Sequence, residues 1–204
     1  MADNADTPFF LIWKQPKIAV RKVLNTNPQH LTFPFAFVNA LDFLFYQANQ
    51  ESLGLFLHYG IIVLSCLLLA VFYAFFWLYI LGFLLFLITK LCFQGKAPFA
   101  HIRSALAWSS APQLISLSVW LALLVFSPDY AFVRMVTLPS SIFLGFIMIV
   151  PKIWSEVLLI MNLQEAAEYS LSRAIGSWAI FFTLSLVVSF FFVRLGSYTL
   201  TFMS

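Results

Sequence analysis

The stretch Tyr59–Thr89, YGIIVLSCLLLAVFYAFFWLYILGFLLFLIT, decides the fold class of this chain. It lies in a longer segment, residues 52–89, that carries no acidic or basic side chain except His58. As a helix the segment would extend roughly 57 Å, whereas the hydrocarbon core of a bilayer is about 30 Å thick. A soluble core in a chain this short needs no such segment, so the stretch predicts an integral membrane protein.

The composition of the whole chain predicts the same class. Of its 204 residues, 62% are hydrophobic and 9% are charged, whereas soluble domains average about 25% charged residues. Backbone polar groups in hydrocarbon must bond within the protein, which leaves helices or a closed barrel. Barrel strands alternate apolar and polar residues over about 10 positions, and the apolar runs here are longer and unbroken. We therefore expect an all-α, polytopic membrane bundle.

Apolar segments and helix-breaking residues predict about five transmembrane helices. One span in the long stretch is favoured over two, because its middle, LLLAVFYAFFWL, holds no Gly, Pro, Asn or Asp to form a turn. The predicted spans cover residues 31–48, 58–89, 105–126, 137–161 and 174–193. Pro112 and Pro151 fall inside the third and fourth spans, where proline kinks a helix or frees a carbonyl. Residues 31–204 would form one transmembrane domain, preceded by a short cytoplasmic segment, residues 1–30.

The placement of basic residues predicts a cytoplasmic N-terminus. With five spans, only Arg134 and Arg194 fall on the far side, and such an asymmetry is typical of the positive-inside rule. Two spans in the long stretch would divide the basic residues almost evenly. The basic residues on the N-terminal side are Lys14, Lys17, Arg21, Lys22, Lys90, Lys96, Arg103 and Arg173.

The N-terminal segment mixes apolar and basic residues between positions 9 and 24, and Pro16 divides it. One interpretation is a helix in the membrane interface, with its basic residues toward anionic headgroups. The other is an arm packed on the protein. The chain lacks the basic-then-apolar order of a signal peptide, so we expect the N-terminus to be retained.

Three segments, taken in order, resemble a known family. They are IWKQPKIAVRKVL (residues 12–24), FQGKAPFAHIRSALAWSSAPQL (residues 93–114) and KIWSEVLLIMNLQEAAEYSLSRAIG (residues 152–176). The set resembles the signature of the Yip1 family of multi-span membrane proteins. The matching positions include Gly95, Lys96, Phe99, Arg103, Trp108, Pro112, Trp154, Ser155, Glu165, Ser170 and Arg173.

This resemblance implies a five-span membrane domain and a role in membrane organisation or a trafficking-like process. The chain has neither the longer cytoplasmic N-terminal region nor the Asp-Leu-Tyr-Gly-Pro element of the eukaryotic branch. The resemblance is therefore to bacterial-type members, and it implies the bacterial inner membrane. Rab GTPase binding and Golgi traffic are not carried over.

Three ionisable residues, Asp42, Lys152 and Glu156, lie inside predicted spans. A charged side chain at mid-bilayer costs at least about 2.5–3.5 kcal/mol, so each needs a partner or a purpose. Lys152 and Glu156 stand at i and i+4 on one helical face. They predict either a proton- or ion-handling site of a small transporter or channel, or a pair that fixes the fourth helix. Asp42 is expected to bond to a Ser, Asn or backbone group of a neighbouring helix.

The remaining polar residues predict contacts rather than catalysis. We expect anionic lipid, a membrane-protein partner or a second copy of the chain to meet the basic residues Lys14, Lys17, Arg21, Lys22, Lys96, Arg103 and Arg173. The three histidines have no spacing suited to a metal. No nucleotide-binding or nucleophile motif is present. We therefore expect no metal, no cofactor, no nucleic-acid partner and no enzyme activity.

Overall fold

In the computed structural model of the protein, the chain forms an all-helical bundle. The structure describes the backbone of residues 7–134 and 139–201, and the side chains of residues 7–134 and 145–187. Within these ranges there is no strand, and the helices are α1 (Pro8–Lys14), α2 (Pro16–Thr26), α3 (Thr32–Gln50), α4 (Tyr59–Cys92), α5 (Phe99–Ser109), α6 (Gln113–Phe126), α7 (Pro128–Ala131), α8 (Pro139–Ala166) and α9 (Leu171–Thr201).

The long apolar stretch forms one helix, α4, of 34 residues. It contains no turn, as the absence of turn-forming residues in its middle predicted. His58 caps its first turn, because the Nδ1 atom of the ring accepts a hydrogen bond of 3.2 Å from the Gly60 amide. Two segments, Phe76–Leu81 and Ile88–Cys92, widen to π-helix. The whole helix is about 50 Å long, well beyond the thickness of a hydrocarbon core.

Two or three segments of the described chain can cross a membrane by length and composition. Helices α4 and α8 each qualify, and α5 with α6 forms a third if the bent pair counts as one span. In α9 the part with described side chains, Leu171–Val187, is also apolar. In α3 the polar residues Asn39, Asp42 and Gln47 interrupt the apolar sequence. The protein is therefore a helical bundle compatible with an integral membrane location.

The third predicted span, residues 105–126, needs correction because it is two helices that meet at 44°. Pro112 lies at the break and has no N–H to continue the ladder. Just before it, the amides of Ser110 and Ala111 bond to the carbonyls of Ala107 and Trp108 in a tight turn. The first of the two helices also begins earlier than predicted, at Phe99, directly after Pro98.

The other predicted spans correspond to helices with shifted ends. The span predicted at residues 31–48 is α3, and the span at 174–193 lies within α9. Helix α9 begins one residue after Ser170, whose carbonyl accepts the Ala174 amide at 3.1 Å. Helix α8 continues through Pro151. The predicted start of the fourth span, at residue 137, lies outside the described residues.

Helix α8 is the centre of the bundle. It packs against α2, α5, α6 and α9, while α3 packs along α4 and also contacts α5 and α6. Large side chains fill the space between these helices, and Phe45, Trp108, Trp120 and Phe132 are almost completely buried. Trp108 also donates a hydrogen bond of 3.0 Å to the His30 carbonyl, which joins α5 to the chain entering α3.

The N-terminal helices α1 and α2 belong to the packed body of the protein. Pro16 opens α2, and the apolar face of α1 and α2, including Ile12, Val20 and Val23, is buried. This face contacts α8 and α5. Phe10 and Ile18 are more than half exposed on the opposite side. The packing favours the arm interpretation, with a limited exposed apolar surface.

At one end of the bundle, two loops bond to each other. The Asn49 side-chain amide donates to the carbonyls of Ala131 and Val133, at 3.0 and 3.3 Å. The Gly54 amide donates to the Phe132 carbonyl at 3.0 Å. We call this region, residues 49–58 and 127–134, the far end. The loop after α3 and the loop after α6 therefore behave as one unit there.

Candidate functional site

The three segments that carry the family resemblance meet at the end opposite the far end. The guanidinium of Arg21 donates from Nε and Nη2 to one carboxylate oxygen of Glu165, at 3.0 and 2.7 Å. The Asn162 amide donates to the Ala105 carbonyl at 3.1 Å. We call this region the motif end: the ends of α2, α4 and α8 with the starts of α5 and α9. Residues far apart in the sequence are thus assembled into one face.

The start of α9 is joined to the end of α4 by Tyr169. Its hydroxyl donates to the Thr89 carbonyl, which also accepts the Gly95 amide at 2.9 Å. Burial raises the pKa of the Tyr169 phenol, so the hydroxyl retains its proton and acts as a donor. A Cβ atom at Gly95 would overlap the Tyr169 hydroxyl, and one at Gly176 would lie 2.7 Å from the Phe93 ring. Both glycines therefore permit the close approach of α4 and α9.

A polar cleft of about 450 Å³ opens at the motif end between α2, α5 and the end of α8. Its size falls within the range of small-molecule sites, about 300–1,000 Å³. The cleft is lined by Arg21, Leu24, Asn25, His101, Gln164, Glu165, Ala166, Glu168 and Tyr169. Acidic, basic and amide groups alternate on its walls, so it suits a polar partner better than an apolar one.

Glu168 ends α8 in a backbone conformation that favours glycine. Its φ angle is 54°, in the left-handed region. The next amide, that of Tyr169, bonds to the Gln164 carbonyl at 3.0 Å and closes the helix. Most helices with this ending place Gly at the left-handed position, because a Cβ atom there is strained. Here the position holds a carboxylate that lines the cleft.

The predicted basic surface is divided by the structure. Arg21 is bound to Glu165, and the Arg103 guanidinium lies 5.0 Å from the Tyr79 ring centre and 5.6 Å from that of Phe99. Of the other residues predicted for this surface, Lys14, Lys22, Lys96 and Arg173 have exposed side chains, and Lys17 is half-buried. Arg21 and Arg103 contact protein groups, so the predicted basic residues do not form one uniform surface.

Inside the bundle, Asp42 connects three helices. This carboxylate on α3 is 2% exposed and accepts a hydrogen bond of 3.2 Å from the Trp120 indole on α6. Its second oxygen lies 3.9 Å from the Lys152 ammonium on α8. The ammonium also lies 4.8 Å from the centre of the Tyr46 ring, where the π electrons attract a cation. Asp42 is thus bonded across helices to an indole and an ammonium, and not to the Ser, Asn or backbone group that was expected.

Glu156 has a different partner from the one that helical spacing predicted. Its carboxylate accepts a hydrogen bond of 2.6 Å from the Trp178 indole on α9. Among the described residues Lys152 forms its ion pair with Asp42 and not with Glu156. The two tryptophans are site residues that sequence reasoning missed, because an indole in a span resembles an apolar packing residue.

The remaining motif positions have separate environments. Trp154 is 38% exposed on the outside of α8, whereas Ser155 beside it is buried. Pro112 lies at the break between α5 and α6. The Ser170 hydroxyl is 3.1 Å from that of Ser172 at the start of α9. The structure therefore brings the motif segments together, while these individual positions are spread over both the surface and the interior.

No protein-family model, curated protein or solved structure matches this chain. Among the described residues, no three His, Cys, Asp or Glu side chains lie close enough to hold a metal ion together. Two features of the molecule itself bear on function: the polar motif end and the buried ion pair of Asp42 and Lys152.

Proposed function

We propose that this protein is a Yip1-like, five-span integral membrane protein of the bacterial inner membrane. Its motif end faces the cytoplasm and binds anionic lipid or a membrane-protein partner without catalysing a reaction. The observation that carries this proposal is the assembly of the three resembling segments, through Arg21–Glu165, Asn162–Ala105 and Tyr169–Thr89, around one polar cleft.

The arrangement of helix ends supports five crossings. The end of α4, the start of α5, the end of α8 and the start of α9 all lie at the motif end. The end of α3, the start of α4 and the end of α6 lie at the far end. If α5–α6 counts as one crossing, successive crossings run in opposite directions. The five crossings are then α3, α4, α5–α6, α8 and α9. The motif end holds most of the basic residues, which favours the cytoplasmic side.

The native cysteines provide a test of this orientation. Cys92 is exposed at the end of α4, and Cys66 is buried within the same helix. A membrane-impermeant thiol reagent should label Cys92 in inverted membrane vesicles and leave it unlabelled in right-side-out vesicles. The Cys92→Ser variant should show no labelling in either. Labelling only in right-side-out vesicles would contradict the proposed orientation.

The exposed basic residues provide a test of lipid binding. A variant with Lys14, Lys17 and Lys22 changed to Gln keeps the Arg21–Glu165 contact and removes three positive charges near the membrane surface. We expect it to retain less anionic lipid after purification in mild detergent, as measured by native mass spectrometry. Arg134→Gln, an exposed residue of the far end, is the control and should retain lipid like the parent protein. Equal lipid retention by the parent protein and both variants would exclude anionic lipid as the partner. A membrane-protein partner would then remain as the proposal.

A second candidate function is a small proton, ion or solute transporter that uses Asp42, Lys152 and Glu156. The observation in its favour is the Asp42–Lys152 pair, whose lysine side chain is 39% exposed while the carboxylate is nearly enclosed. Reconstituted protein should then change the internal pH of dye-loaded liposomes, and Asp42→Asn should stop that flux while Glu165→Gln should not. Flux equal to that of empty liposomes would contradict this function.

A further inference from the structure

We propose that a file of internal water molecules runs through the bundle from the cleft of the motif end to the Asp42–Lys152 pair. The proposal does not depend on the contact function proposed above. It starts from five of the six side chains in the described part of the chain that bury an oxygen atom with no hydrogen-bond partner in the protein: Ser104, Gln113, Ser116, Ser155 and Asn162. The sixth, Ser177, is on α9 and is not part of the proposed file.

These side chains are enclosed almost completely. Ser104, Ser116 and Asn162 are 0% exposed, Gln113 is 5% and Ser155 is 8% exposed. A hydroxyl or amide oxygen buried without a hydrogen bond is costly, and proteins commonly satisfy such groups with internal water. Five such oxygens on helices that pack together indicate a hydrated interior rather than five separate defects.

The helix pairing gives the order of the five side chains along the bundle. Helices α5 and α6 both pack against α8, and the Asn162–Ala105 hydrogen bond fixes the register. Ser155 lies two helical turns, about 10 Å, from Asn162 on the same face of α8. Because α5 runs in the opposite direction to α8, the same distance from Ala105 toward the C-terminus reaches the break between α5 and α6 and then Gln113. Ser155 and Gln113 are therefore at one level, and Ser104 is level with Asn162.

Both ends of this line continue into charged or polar groups. Toward the membrane interior, Lys152 is one helical turn beyond Ser155, and Ser116 is one turn beyond Gln113. Toward the motif end, Glu165 is one turn beyond Asn162, and His101 is one turn before Ser104. Glu165 and His101 line the cleft. The distance from Lys152 to Glu165 along α8 is about 20 Å, with a polar side chain at nearly every turn.

The break between α5 and α6 lies beside this line. Ser110, Ala111 and Pro112 are buried and leave the α-helical hydrogen-bond ladder at that point. Non-helical backbone at membrane depth is tolerated where it is enclosed by protein or lines a wet cavity. Broken helices in transporters often form the walls of such polar sites. The file would give the Asp42 carboxylate an aqueous route to one side of the membrane only.

The sign of the change in Tm of single alanine variants tests the proposal. If the hydroxyls of Ser104, Ser116 and Ser155 hold water, each change to Ala removes a hydrogen bond, and the Tm should fall by about 2–4 °C. If the hydroxyls are dry and unpartnered, removing them should raise the Tm. Ser109→Ala is the matched control, because that buried hydroxyl donates to the Leu106 carbonyl of its own helix at 2.7 Å. A rise in Tm for Ser116→Ala and Ser155→Ala would overturn the proposal.

A density map of the unmodified protein, at a resolution that shows ordered water, decides the question if a variant fails to fold. Peaks within about 2.7–3.2 Å of all five oxygen atoms would support the file. Direct protein partners for the Ser116 and Ser155 hydroxyls, with no peak between them, would interrupt the file and overturn the proposal.

Discussion

The ion pairs Arg21–Glu165 and Asp42–Lys152 each join a largely buried carboxylate to a more exposed cation, but they differ in depth. Arg21 and Glu165 are 2.7 Å apart, and their side chains are 67% and 13% exposed. Asp42 and Lys152 are 3.9 Å apart, and their side chains are 3% and 39% exposed. Water competes more strongly for the first pair than for the carboxylate of the second. We therefore expect environment, rather than separation, to determine which pair the fold depends on.

The largest effect is expected for Lys152→Ala. This change leaves the buried Asp42 carboxylate without its cation, and breaking a buried pair in this way typically costs about 3–5 kcal/mol. The free energy of unfolding, measured in mixed micelles, should fall by that amount. A fall in the unfolding free energy of less than about 1 kcal/mol would show that this pair contributes no more than a surface pair.

A double variant identifies the cause of that loss. Asp42→Leu with Lys152→Leu removes both charges and fills the space with apolar side chains. Replacing a whole buried pair in this way is often neutral or stabilising, so most of the lost stability should return. If the double variant is as unstable as Lys152→Ala, lost packing rather than a stranded charge is responsible.

A smaller effect is expected for Arg21→Ala. The Glu165 carboxylate stays within reach of solvent, and surface pairs usually contribute about 0–1 kcal/mol. The loss should shrink further in 1 M salt, where the screening length is only about 3 Å. Lys14→Ala, at an exposed position of α1, is the control for removing a positive charge. A loss above about 2 kcal/mol that salt does not change would show that the motif end is as rigidly built as the interior.

The smallest effect, with the opposite sign, is expected for Glu168→Gly. Glycine removes the strain of a left-handed residue, about 1–2 kcal/mol, but it also increases the freedom of the unfolded chain. The unfolding free energy should therefore rise by up to about 1 kcal/mol. A decrease would show that the Glu168 carboxylate contributes a contact at the cleft that outweighs the strain.

Local features of the fold could be predicted from the sequence, and long-range partners could not. The single helix α4 follows from residues within the stretch itself, because no turn-forming residue divides its middle. Pro112 signalled a disturbance in the third span. The predicted span began at residue 105, whereas α5 begins at Phe99, directly after the boundary residue Pro98.

The partners of charged residues depend on which helices become neighbours. The spacing of Lys152 and Glu156 identified a shared face, but the nearest buried carboxylate, Asp42, comes from a helix far away in the sequence. Arg21 was expected to contact anionic lipid or a partner, and its neighbour Glu165 comes close only when α2 packs on α8. Family resemblance grouped these segments in order, without indicating which residues would touch.

The Asn49 side chain has a practical consequence for engineering this protein. Its amide bonds to two carbonyls of the loop after α6, and the Gly54 amide bonds to a third. An epitope tag or reporter inserted into either loop would separate donors from acceptors that belong to the other. Insertions at residues 51–57 or 128–133 are therefore expected to disturb both connections at once. A tag at the far end should be placed where it leaves these hydrogen bonds intact.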